Sequence, residues 1–124
     1  MYWWIYRRAN KKDWWGKGID RNNVKEIADI VDKYIAIVKE NYDVVAIILF
    51  GSYTKGTEHE DSDIDIAVVT DDIKTDKFDE EVKLTLLRRK IDSRIEPHII
   101  KVDDYENDET PFVVEVKNTG IKVA

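Results

Sequence analysis

Two apolar runs of strand length, Val44 to Phe50 and Ile64 to Val69, are separated by a Gly51-Ser52 turn and a polar loop that ends in Asp63-Ile64-Asp65. A short apolar run bounded by turn signals reads as a buried strand. Strands joined this way are expected to pair antiparallel. Side chains alternate across a strand, so Asp63 and Asp65 share a face, roughly 6.5–7 Å apart along it. Two carboxylates so placed can share divalent metal, and Gly51 lets the main chain and the Ser52 hydroxyl approach a phosphate closely. Metal and phosphate together at the end of a sheet point to phosphoryl or nucleotidyl transfer.

Simpler explanations of these residues fare worse. An acidic turn at a strand start is common and usually inert, but the Gly-Ser turn at fixed distance argues against it here. Asp61, Asp63 and Asp65 imitate the start of a calcium loop. Ile66 then stands where the sharp turn needs Gly, and the twelfth position is Asp72 rather than Glu. Gly51-x4-Gly56-Thr57 imitates a phosphate-binding loop but lacks the Lys between Gly and Thr.

The rest of the chain supplies elements to cover such a sheet. Val24, Ile27, Ala28, Val31, Tyr34, Ile35 and Val38 recur at helical spacing, which predicts a helix over about 24–41 with Asn22 or Asn23 as its N-cap. A second helix is expected over about 77–92, capped by Asp76 and packing Phe78, Val82, Leu86, Leu87 and Ile91. Arg94 to Val102 reads as a third strand and Asp103 to Thr110 as an acidic connection. Pro111 can open a short helix that Gly120 closes, with Ile121-Lys122-Val123 as an edge strand. The fold class is α+β, a mixed sheet covered by helices.

At 124 residues the chain supports one core, and its 37% charged residues give it a polar surface. No apolar run approaches the ~20 residues of a membrane span. The absence of cysteine rules out disulfides and thiolate metal sites and fits a cytoplasmic location. The net charge of −6 argues against duplex nucleic acid as the main ligand. That charge is uneven: residues 1–19 carry five basic residues against Asp13 alone, a sum of +4, which leaves −10 on the remainder. The basic end also holds Trp3, Trp4, Trp14 and Trp15, which sets residues 1–22 apart as an extension to a domain over 23–124. Aromatics interleaved with Arg and Lys can pack on their own domain, join two copies of the chain, bind another protein, or stack on bases.

The pattern G-S-x10-D-x-D, met by Gly51, Ser52, Asp63 and Asp65, resembles that of the DNA polymerase beta-like nucleotidyltransferases, and within them the minimal nucleotidyltransferases. The resemblance runs from about Val24 to Ala124 and includes the ending Pro111-Phe112-Val113-Val114-Glu115-Val116-Lys117-Asn118-Thr119-Gly120. It implies a palm-like core and transfer of a nucleoside monophosphate from an NTP, most simply ATP, to an acceptor hydroxyl. Asp63 and Asp65 would hold two Mg²⁺ ions, and Gly51 and Ser52 would bind phosphate.

Members of this family take a third acid from a neighbouring strand, and the candidate here is Glu96, as a further metal ligand or general base. A charge inside an apolar strand is costly unless it faces water or metal, although Pro97 would also permit an outward charge on an edge strand. His98 shares the face of Glu96 and reads more as a structural histidine than a pocket residue, while His59 reads as solvent-exposed. Minimal nucleotidyltransferases typically act as antitoxins beside a HEPN-domain partner. The resemblance therefore implies AMP transfer to a partner protein as acceptor in trans. A non-catalytic partner-binding module, or transfer to a small molecule or RNA end, are the alternatives.

Overall fold

The computed structural model describes residues 21–51 and 62–124. The Trp-rich segment over 1–20 and the loop over 52–61, which includes Ser52 and His59, lie outside the described residues. Helix α1 spans Arg21–Asn41. It therefore contains Asn22 and Asn23 instead of being capped by either. Its buried stripe is Ile27, Val31, Tyr34, Ile35 and Val38, as the helical spacing predicts. No described helix is long and apolar enough to cross a membrane.

Strand β1 spans Ala46–Phe50 and is buried throughout. Strand β2, Ile64–Val69, pairs with it antiparallel, Phe50 opposite Asp65 and Ala46 opposite Val69. Strand β3, Ile95–Ile100, lies parallel to β2 with Asp65 opposite Glu96. Parallel neighbours need a crossover, and helix α2, Lys77–Leu87, supplies it. Strand β4, Ile121–Lys122, adds to the far edge of β1, giving the order β3-β2-β1-β4. The period-2 alternation then sorts the side chains onto two covered faces. Ile47, Leu49, Ile66, Val68 and Ile99 pack against α1 and Leu84 of α2. Ala46, Ile48, Phe50, Ala67 and Val69 pack against Val113 and Val116 of the last helix.

Asp76 caps α2 as expected, its Oδ1 accepting from Asp79 N at 2.8 Å. The helix ends earlier than predicted, passing into a 3₁₀ turn over Arg88–Lys90. Its inward face also differs. Phe78, Val82 and Leu86 are exposed, Phe78 by 72%, whereas Glu80 and Leu84 are buried. Leu87 and Ile91 pack partly against the core. Both stripes have helical period but lie two residues out of phase, and polar partners decide between them. Glu80 accepts from Lys74 N at 2.8 Å and from the Tyr42 hydroxyl at 3.2 Å, and Lys83 Nζ lies 3.3 Å away. The Tyr34 hydroxyl donates to Leu84 O at 2.7 Å. A carboxylate so provided with donors can replace an apolar residue inside.

The expected acidic connection after β3 is instead a short helix, α3, over Val102–Glu106, with Asp103 and Asp104 in its first turn. Acids there complement the positive end of the helix dipole. Helix α4 spans Pro111–Thr119, with Thr110 accepting from Val113 N at 3.2 Å and Pro111 in the first turn. Gly120 closes it in an extended conformation, φ −86°, not the left-handed one. Its need for glycine comes from close approach, since a Cβ would collide with Val116 O and Ile48 Cγ2.

Leu84→Ala should cost about 2–5 kcal/mol of stability by urea denaturation, as a fully buried truncation does. Leu86→Ala should stay within about 0.5 kcal/mol of wild type, as an exposed change does. Hydrogen bonding, led by the Lys74 N–H, holds the Glu80 carboxyl below its usual range, against the opposing effect of burial. A depressed folded pKa gives stability that is full above the ordinary value near 4.5 and is lost as pH falls through the folded value. The stability gap between wild type and Glu80→Gln should therefore narrow in urea titrations below that pH. A constant gap would show that the ionised form is not what matters.

Candidate functional site

The chain leaves β1 through Gly51, whose φ of +82° few other residues adopt. A Cβ here would collide with the Asp65 carboxylate and lie 3.1 Å from its Cγ. The glycine thus brings the main chain directly against the acid. Asp65, in β2, is half-buried, and Asp63, one residue before the strand begins, is exposed. The parallel register sets Glu96 beside Asp65, and the Asp63 carboxyl lies close enough to act on that of Glu96. Gly51, Asp63, Asp65 and Glu96 thus meet at one end of the sheet.

The electrostatics are those of crowded carboxylates. The Glu96 carboxyl is held above its usual range, first by the hydrogen bond with Asp63, then by burial and the charges of Asp63 and Asp65. Like charges this close favour either a shared proton or a cation.

The structure also brings His98 into the cluster. Its Nε2 lies 3.5 Å from Asp65 Oδ1. The imidazole pKa is raised, first by hydrogen bonding to Asp65, although burial opposes this. One ligand atom from each of Asp65, Glu96 and His98 lies within 4.8 Å of the others. The donor set fits a divalent cation, with two carboxylates for charge and an imidazole as a neutral ligand. The signal for His98 was present in its i+2 spacing from Glu96, the same spacing that joins Asp63 to Asp65. Nothing in the sequence indicated the ring packing. The His98 ring contacts Phe50 and Phe112, with centroids at 5.4 and 5.6 Å, and the two phenylalanines meet edge to face at 5.6 Å.

The family model described as "Polymerase beta, Nucleotidyltransferase" matches residues 32–124. The chain belongs to that family and is a nucleotidyltransferase. It is similar to "Putative protein adenylyltransferase MJ1379" of Methanocaldococcus jannaschii, 41% identical over 55% of this chain and 68% of the relative. It is also similar to "Protein adenylyltransferase MntA" of Shewanella oneidensis, 48% identical over 33% of this chain and 30% of that one. A solved structure described as a toxin-antitoxin with AMP-PNP shares the fold with a TM-score of 0.56 and 29% identity, over 75% of this chain and 71% of that one.

Gly51→Ala tests how closely the turn and the acid are coupled. Strain at positive φ should cost about 1 kcal/mol or more in urea denaturation. The collision with Asp65 should add to that cost. A variant with wild-type stability would show that the turn relaxes freely.

Proposed function

We propose that this domain transfers AMP from Mg-ATP to a hydroxyl on a partner protein. The observation that carries the reading is the convergence of Asp63, Asp65 and Glu96 beside Gly51 on one sheet face. Relatives named as protein adenylyltransferases, and a toxin-antitoxin neighbour with AMP-PNP, support the substrate and the kind of partner. The acceptor on this reading is a tyrosine hydroxyl of a HEPN-type toxin, and the chain is its cytoplasmic antitoxin.

Asp63 and Asp65, completed by Glu96, would hold two Mg²⁺ ions. When bound, these supply charge neutralisation along the triphosphate and at the leaving pyrophosphate. The Gly51 main chain and Ser52 would bind phosphate oxygens. The acceptor oxygen forms a bond to the α-phosphorus, the bond from that phosphorus to the bridging oxygen breaks, and pyrophosphate leaves with the electron pair. Glu96, exposed on β3, would take the acceptor proton.

Incubation with α-³²P-labelled ATP, Mg²⁺ and the product of the neighbouring gene should label that product. EDTA, or the Asp63→Asn, Asp65→Asn double substitution, should abolish both labelling and ATP binding. ATP binding that is equal with EDTA and with Mg²⁺ would overturn the metal role. Suppression of toxicity without labelling would favour a binding module. Labelling of RNA or a small molecule alone would overturn the protein acceptor.

A further inference from the structure

We propose that His98, through Nε2, is a ligand of the cation held by Asp65 and Glu96, and that it shifts this site's preference from Mg²⁺ toward Mn²⁺. The inference rests on the reading above that these carboxylates hold metal, and deepens it. Ligands at about 2.1–2.3 Å from one ion lie roughly 3 Å apart when adjacent and 4.2–4.6 Å apart when opposite. The spread of 4.8 Å among Asp65, Glu96 and His98 needs little contraction to meet that.

The ring is already aimed. Nε2 faces Asp65, and Phe50 and Phe112 contact the imidazole from β1 and α4. These two rings pack against the imidazole and restrict its rotation. The His98 and Asp65 side chains remain 31% and 22% exposed, which leaves an open side where water or phosphate oxygens complete the coordination. The chemistry of the donor set then decides the metal. Mg²⁺ favours oxygen ligands, whereas an imidazole nitrogen raises affinity for the first-row metals, and Mn²⁺ also accepts carboxylates and phosphates.

The test is titration of the full chain with Mn²⁺ in the absence of nucleotide, following free Mn²⁺ by electron paramagnetic resonance, with Mg²⁺ measured by competition. His98→Asn should weaken Mn²⁺ binding roughly tenfold or more while changing Mg²⁺ binding much less. Equal losses for the two metals, or no loss, would mean that the imidazole only packs against Asp65. Nitrogen-15 resonances of wild-type histidine provide a measurement that does not depend on the variant folding. Zn²⁺ should move the Nε2 signal of His98 to a metal-bound position, and an unmoved signal overturns the proposal. Asp65→Asn separates the two levels of the argument. If it binds Mn²⁺ as wild type does, the carboxylate metal site itself has failed. If it loses binding while His98→Asn does not, only the role of His98 has failed.

Discussion

Asp65 lies where two strand ladders cross, opposite Phe50 in the antiparallel pair and opposite Glu96 in the parallel one. The rest of the site depends on that double register. A slip of one residue in either ladder would turn its side chains to the opposite face. Glu96 would then point toward α1 and α2, and Ile95 toward the acids. The register is held by the apolar residues between the site residues. Ile64, Ile66 and Val68 of β2 and Ile95 and Ile99 of β3 are all buried against the helices. The core face therefore fixes the geometry of the functional face.

The two faces treat carboxylates in opposite ways. Glu80 is buried in the α1–α2 interface, but a backbone amide, a tyrosine hydroxyl and a lysine surround it, and its charge is favoured. Asp63, Asp65 and Glu96 face one another, and Glu96 holds its proton more tightly as a result. The first arrangement stabilises the fold. The second costs stability, as is common at functional sites.

Much of the architecture was legible because strand and helix periods are local. The run from Val44 to Phe50, the Gly51 turn, β2 and the Pro111 helix start were all readable from nearest neighbours. The phase of α2 was not. Phe78, Val82 and Leu86 form as good a stripe as Glu80, Leu84, Leu87 and Ile91, and Tyr42 and Lys74, brought in by other elements, help make a buried Glu80 acceptable. Helix α3 was hidden because its acids resemble a solvated loop until the chain turn places them at a helix start. His98 shares the i+2 spacing from Glu96, and only the tertiary structure sets its ring against Asp65.

The sequence by itself determined the Gly51 turn and the acid pair that follows it. Gly51, Asp63 and Asp65 lie close together in the chain, and the pleat alone puts both acids on one face. Tertiary structure decided what joins them. Glu96 and His98 are some thirty residues further along, and only the parallel pairing of β3 with β2, closed by the α2 crossover, places them beside Asp65. Phe112 arrives from later still, carried by α4 onto the same face to meet the His98 ring. Alternation along a strand is a property of the local backbone, whereas the identity of a neighbouring strand depends on how the whole core buries its apolar surface.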